Sequence, residues 1–151
     1  MRKMMLCLCL LLCLILSGCA AKDAATGDAG SGLTISADAL TSEVSFFDYN
    51  AGGTAMQVIA RIDDAGVPKL SYNTCQSCAG SPYAYFEVQN GRLVCRNCGN
   101  VFSYDTIGET RNGGCMPIAV EEYTVEDGVI SVSAETLNGM KDKFMNWKKG
   151  L

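Results

Sequence analysis

The sequence predicts a mostly β protein, a small antiparallel sheet or barrel-like domain with paired CxxC turns and one C-terminal helix. Short runs of alternating apolar residues, separated by turn signals, support this prediction, and a helical spacing of apolar residues occurs near the end of the chain. The predicted organisation is a signal peptide over 1–18, a flexible tether over 19–32 and a cysteine-rich metal-binding domain over 33–151.

The first predicted strand pair lies in AMQVIARIDDAGVPKLSY, residues 55–72. The chain turns at 64–66, and Pro68 is expected at a sheet edge or a strand start because it has no N–H to donate. The first strand places four alternating apolar residues on one face: Met56, Val58, Ala60 and Ile62.

Two further hairpins are predicted at Asn90-Gly91 and Asp127-Gly128. Each pair stands between β-rich runs, and such pairs favour the type I′ turn, which needs a positive φ at both central residues. The segment 133–149 predicts the helix, with Ser133 as its N-cap. Its apolar face comprises four residues: Leu137, Met140, Phe144 and Trp147.

Four cysteines follow the pattern CxxC-x16-CxxC: Cys75, Cys78, Cys95 and Cys98. Two CxxC turns can surround one metal tetrahedrally, and the intervening hairpin would bring the second turn beside the first. Thiolates are soft ligands that suit zinc, copper(I) or iron–sulfur centres. Structural disulfides and a redox-active dithiol remain alternatives, since an extracytoplasmic compartment favours oxidised thiols.

A fifth thiol, Cys115, follows Gly113 and Gly114. The two glycines would let the backbone approach the site closely and form a nest of N–H groups. Cys115 is therefore interpreted as a neighbour or an exchangeable ligand of the four-thiol site, with an ordinary buried cysteine as the alternative.

Histidine is absent from the whole sequence. This excludes a Rieske cluster, a type 1 copper site, CxxCH haem attachment and any histidine-based catalytic triad. No catalytic residue is predicted, and the chain is interpreted as an electron carrier or metal-binding protein rather than an enzyme.

The first nineteen residues, MRKMMLCLCLLLCLILSGC, have the order of an export signal. Arg2 and Lys3 precede an apolar stretch over 4–16, and the string LSGC at 16–19 resembles a bacterial lipobox. Cys19 is therefore the predicted lipidation site, and the protein is expected outside the cytoplasm, anchored to the cell membrane. The alternatives are an ordinary signal peptide or an uncleaved anchor.

Charge limits the choice of partners. The chain has 12 basic and 16 acidic side chains, and its net charge of −4 would become about −6 after Arg2 and Lys3 leave with the signal. This acidic balance argues against nucleic acid as a partner.

The run over 36–144 resembles the soluble domain of the FtrD-like iron–sulfur membrane proteins. The resemblance rests on FFDY, LVCRNCGNVF and IGETRNGGCMP, in that order. The block over 98–132 also resembles the cluster-binding half of Rieske-type domains, with cysteines where histidines would stand. The family resemblance implies an iron–sulfur cofactor, electron transfer in bacterial iron uptake, and iron-permease or redox membrane components as partners. The ligand candidates that it implies are Cys75, Cys78, Cys95, Cys98 and Cys115.

The predicted N-terminal signal affects which metal the protein is expected to acquire. Typical members of that family carry several membrane helices ahead of the domain, whereas a lipoprotein signal takes that place here. Arg2-Lys3 is not a twin-arginine signal, so the chain is expected to leave the cytoplasm unfolded and to acquire its metal outside. That route favours zinc, copper or disulfides. The alternative function is a non-redox binding or structural domain held by a four-cysteine zinc site or by disulfides.

Overall fold

The computed structural model describes residues 27–151. The predicted signal peptide, the lipidation site Cys19 and the tether up to residue 26 lie outside these residues. Between residues 27 and 151, no helix combines the length and the apolar character needed to cross a bilayer.

The described chain is built mainly from short strands, which confirms the predicted mostly-β class. In chain order these strands are β1 Gly27–Asp28, β2 Leu33–Ser36, β3 Ser45–Ala51, β4 Thr54–Ile62, β5 Pro68–Cys75, β6 Phe86–Gln89, β7 Arg92–Cys95, β8 Val101–Phe102, β9 Pro117–Ala119, β10 Thr124–Glu126 and β11 Val129–Val132.

The strands form three open sheets, and none of these sheets closes into a barrel. The largest has the order β1-β3-β4-β5-β9, and the two smaller sheets have the orders β10-β11-β2 and β6-β7-β8. Strand β1 runs parallel to β3, whereas the other paired strands are antiparallel. The three-stranded sheet β6-β7-β8 carries the second CxxC pair, and β5 carries the first.

Part of the predicted tether belongs to the folded domain. Gly27 pairs with Tyr49 in β3, and the carboxylate of Asp28 accepts hydrogen bonds from the N–H groups of Gly30 (2.9 Å) and Ser31 (3.2 Å). The small polar residues over 27–32 are therefore held by backbone pairing and by a side-chain turn. The boundary predicted at residue 32 depended on the absence of apolar side chains to bury, which does not detect such pairing.

Both predicted two-residue turns are confirmed. Asn90 and Gly91 have φ values of 50° and 70°, and Asp127 and Gly128 have φ values of 49° and 75°. These left-handed pairs connect β6 to β7 and β10 to β11. Pro68 is the first residue of β5, as expected for a residue without an N–H.

The C-terminal helix is shorter than predicted. Helix α1 covers Ala134–Asn138, and Ser133 caps it by accepting a hydrogen bond from the N–H of Thr136 (3.0 Å). The continuous helix predicted over 133–149 is wrong beyond α1: Gly139 follows it, and the chain resumes as a 3₁₀ turn over Lys141–Phe144. Glycine is a poor helix former, so it favours an end to the helix at this position. Further along, the chain is held by hydrogen bonds to distant residues.

The predicted apolar face nevertheless packs inward despite the interruption. Leu137 and Phe144 are buried, and Met140 and Trp147 pack half-buried against the same core. The indole N–H of Trp147 donates to the carbonyl of Asn73 (2.6 Å), which fixes this segment against β5. Burial of these side chains therefore does not require one continuous helix.

Strand β4 separates two apolar cores. Val58 and Ala60 lie in the larger core, beside the β10-β11-β2 sheet and the C-terminal segment. Ile59, which points to the opposite face of β4, lies in a smaller core under the β6-β7-β8 sheet. The buried members of this smaller core are Ile59, Cys75, Phe86, Leu93, Cys95 and Ile107. The thiol site therefore lies on its own apolar core, which we call the apolar base and which includes Ile59, Phe86, Leu93 and Ile107.

Candidate metal centre

The thiols come from three separate segments of the chain. Cys75 is the last residue of β5 and Cys95 is the last residue of β7, so each CxxC turn begins where a strand ends. Cys115 lies just ahead of β9, and it comes near Cys75 because Pro117 of β9 pairs with that residue. The long-range pairing of β5 with β9 therefore brings the fifth cysteine to the first turn.

A buried asparagine joins the two sheets beside the site. The side chain of Asn73 accepts a hydrogen bond from the N–H of Phe86 (2.7 Å) and donates to the carbonyl of Phe86 (3.3 Å). These two side-chain hydrogen bonds take the place of the backbone hydrogen bonds that would otherwise pair β5 with β6. Sequence reasoning missed this residue, because its partner Phe86 lies thirteen residues further along the chain and no local pattern marks the contact.

Two backbone hydrogen bonds strengthen this junction between β5 and the β6-β7-β8 sheet. The N–H of Cys75 donates to the carbonyl of Ala84 (3.2 Å), and the N–H of Arg96 donates to the carbonyl of Tyr85 (2.8 Å). One bond begins at each CxxC turn, and both end on the segment just before β6. The two turns are therefore held at a fixed separation by backbone contacts.

All five predicted ligand candidates lie together. Their Sγ atoms are all within 4.8 Å of one another. The Sγ of Cys115 lies 2.7 Å from that of Cys98 and 3.0 Å from that of Cys75. All five are free thiols. This placement puts the sulfur of Cys115 beside the four CxxC thiols, and its role as an exchangeable ligand stays a prediction.

The residues inside the first CxxC turn hold the Cys115 loop in place. The N–H of Gln76 donates to the carbonyl of Met116 (2.9 Å), and the hydroxyl of Ser77 donates to the carbonyl of Gly114 (2.6 Å). The two positions between Cys75 and Cys78 therefore do more than space the thiols. Sequence reasoning assigned no role to either residue, because their partners lie about forty residues away in the chain.

The two glycines before Cys115 serve a different purpose from the one predicted. Gly113 and Gly114 have φ values of 79° and 102°, in the region that favours glycine. A Cβ atom at either position would meet nothing within 4 Å. The pair is therefore explained by backbone conformation, and the close approach expected from the sequence is not observed.

Burial decreases from the inner to the outer side of the site. Cys75 and Cys95 are fully buried, Cys78 and Cys115 are half-buried, and Cys98 is exposed. Burial raises the pKa of Cys95 to about 12, although the N–H groups of Cys98 and Asn97 act against this rise. Burial also raises the pKa values of Cys78 and Cys115.

Cys98 has the opposite shift. Burial opposes its ionisation, but hydrogen bonds from the Cys115 thiol and from the N–H of Asn100 outweigh that effect and lower the pKa of Cys98 to about 7. The pKa of Cys98 is therefore lowered where those of Cys78, Cys95 and Cys115 are raised. Metal binding has to displace protons from the buried thiols, so metal affinity in such a site depends on pH.

The fold and the site together define a small cysteine-rich β protein with a candidate thiolate metal centre. The chain belongs to the family described as membrane iron-sulfur containing protein FtrD-like, whose model matches residues 34–144. This match confirms the resemblance recognised in the sequence. No match is found among curated proteins or among solved structures.

Proposed function

We propose that this protein is a membrane-anchored metal-binding protein that transfers electrons as an accessory of bacterial iron uptake. The observation that carries the proposal is the gathering of five thiols within 4.8 Å in a member of a family named for iron and sulfur. Iron bound to cysteine sulfur gains and loses a single electron at potentials set by its surroundings. Zinc and copper(I) are the other metals that this donor set suits.

The residues around the thiols suit such a role. The buried sulfurs of Cys75 and Cys95 lie on the apolar base, where water is excluded, and Cys98 faces solvent. The N–H groups of Asn97 and Cys98 point at the sulfur of Cys95 and would stabilise its thiolate. The exposed edge at Cys98 offers a redox partner the shortest approach to the centre.

The partners that we propose are redox components of the membrane and an iron permease. Lipidation of Cys19 would keep the domain on the outer side of the cell membrane, close to such partners. The acidic balance of the chain argues against nucleic acid.

Elemental analysis, visible absorption and a redox titration of the purified protein test this function together. We expect bound iron, a coloured protein and a reversible one-electron couple. A colourless protein with one zinc and no reversible redox couple would refute the electron-carrier function but not the metal site. An intact mass that corresponds to two disulfides, with no metal, would refute the metal site as well.

A non-redox structural role is the second candidate, and the position of the site favours it. The thiols join β5 to the β6-β7-β8 sheet, which has only a small apolar core of its own. Small domains often replace a larger core by a metal or by disulfides. A four-cysteine zinc site or disulfides would then stabilise the fold without any electron transfer.

The anchor gives a separate prediction. We expect Cys19→Ser to release the protein from membranes or to leave an unprocessed precursor, because the acyl chains would supply most of the membrane affinity. Fractionation followed by mass determination of the N-terminus measures both outcomes. If the processed variant still sediments with membranes, another anchor exists.

Replacement of Cys115 tests whether this residue has a structural role or a redox role. We expect Cys115→Ala to keep the fold at a cost of about 1 kcal/mol, as for a small half-buried side chain. The change removes the sulfur that contacts Cys75 and Cys98, so the reduction potential of the bound metal should fall by on the order of tens of millivolts. A spectrum and potential identical to those of the wild type would make Cys115 a bystander.

A further inference from the structure

The distances between the sulfur atoms bear on how many metal ions the centre holds. We propose that the centre binds a single metal ion through the four CxxC thiols, and that Cys115 is a fifth, non-ligand thiol that contacts two of them. This inference rests on the proposed metal-binding function. It differs from the multi-iron cluster that the family description suggests.

The observed spread of the thiols suits one ion. A metal–sulfur distance near 2.3 Å places the sulfurs of a tetrahedral site about 3.8 Å apart. In a cluster, at least two irons and their bridging sulfides lie between thiolates bound to different irons, which are then separated by roughly 6 Å or more. The five Sγ atoms here are all within 4.8 Å of one another, so a cluster does not fit at these positions.

The backbone restricts any widening of the site. Cys75 is held on two sides, since it pairs with Pro117 and donates its N–H to the carbonyl of Ala84. Arg96, next to Cys95, donates its N–H to the carbonyl of Tyr85. Because these bonds end on neighbouring residues, the two CxxC turns cannot move apart without breaking the junction of the sheets.

The apolar base restricts widening in the inward direction. Cys75 and Cys95 are 0% exposed and pack with Phe86 and Leu93, which are themselves buried. Close-packed interiors leave no free volume for additional iron and sulfide. The space for a metal is therefore the small volume that the five sulfurs themselves enclose.

The contacts of Cys115 indicate which thiol is not a ligand. Its sulfur lies 2.7 Å from Cys98 and 3.0 Å from Cys75, closer than the separation of about 3.8 Å between two sulfurs on one tetrahedral ion. The CxxC turns supply paired sulfurs whose turns are closed by backbone bonds, from the N–H of Cys78 to Cys75 and from that of Gly99 to Cys95. Cys115 is thus a positioning residue that hydrogen-bonds ligand sulfurs and tunes the centre.

Reconstitution of the reduced full-length chain under anaerobic conditions tests this inference. The protein is titrated with ferrous iron alone and, in parallel, with ferrous iron plus sulfide; bound iron, acid-labile sulfide and the absorption spectrum are then measured. We expect one iron per chain in both titrations, no retained sulfide and the same spectrum. Two or more irons with matching sulfide, bound only when sulfide is supplied, would overturn the inference.

A cobalt(II) titration separates this inference from the proposed function. One cobalt per chain with the absorption of a tetrahedral thiolate complex supports the single-ion site whether or not the iron form transfers electrons. A single bound iron without a reversible couple would refute the electron carrier and leave the single-ion site intact. Failure of the reduced chain to bind either metal would refute both.

Two serine variants test the assignment of the ligands. Both Cys98→Ser and Cys115→Ser replace a thiol on the outer side of the site, so they form a matched pair. We expect Cys115→Ser to retain one cobalt with a four-thiolate spectrum, and Cys98→Ser to lose cobalt affinity by at least tenfold and change the spectrum. The reverse result would show that Cys115 is the ligand and would refute the assignment.

Discussion

Replacing Cys95 by serine is expected to abolish stoichiometric metal binding and to lower the thermal stability of the domain more than any other single change proposed here. Cys95 ends β7, is fully buried, and belongs to the small core under the site. A hydroxyl is a poor ligand for a soft metal, and metal binding at thiolate sites contributes on the order of 10 kcal/mol to folding. Metal content and thermal unfolding of the variant measure the two effects.

Cys115→Ser serves as the matched control for this experiment. It also removes one thiol from the same group, but the structure places Cys115 in a loop ahead of β9 and outside the two CxxC turns. We expect this control to keep one metal per chain and a melting temperature within a few degrees of the wild type. Equal losses in the two variants would contradict the distinction between them.

Asn73→Ala is expected to destabilise the domain by about 3 to 4 kcal/mol. The change leaves the buried N–H and carbonyl of Phe86 without the partners that Asn73 provides, and each unpaired buried group costs about 1 to 3 kcal/mol. Chemical denaturation measures the free energy of unfolding. Hydrogen exchange at the amide of Phe86 reports directly on the junction between β5 and β6.

Gln57 provides the control for Asn73. Its side-chain oxygen accepts a hydrogen bond from the same amide group of Asn73 (2.7 Å), but the residue is only half-buried. We expect Gln57→Ala to cost no more than about 1 kcal/mol, because water can replace the lost bond. If both variants lose the same stability, the contacts of Asn73 with Phe86 do not hold the junction.

Local chemistry in the sequence determined several features of this protein. The turns at Asn90-Gly91 and Asp127-Gly128 follow from the few residues that accept positive φ, and the cap at Ser133 follows from its hydroxyl. Each CxxC pair forms a local turn, which the spacing of its two cysteines indicates. These features depend on neighbours within about five positions, so a single sequence is sufficient to predict them.

Only the tertiary structure decided the features that depend on distant contacts. The residues over 27–32 fold because Gly27 pairs with β3, and the segment that follows the short C-terminal helix is held where the indole of Trp147 donates to the carbonyl of Asn73. Cys115 meets Cys75 because β9 pairs with β5, forty residues away in the chain. The separation of the sulfurs likewise results from hydrogen bonds and packing between segments. Residue identities allow such contacts, but the three-dimensional fold selects which of them form.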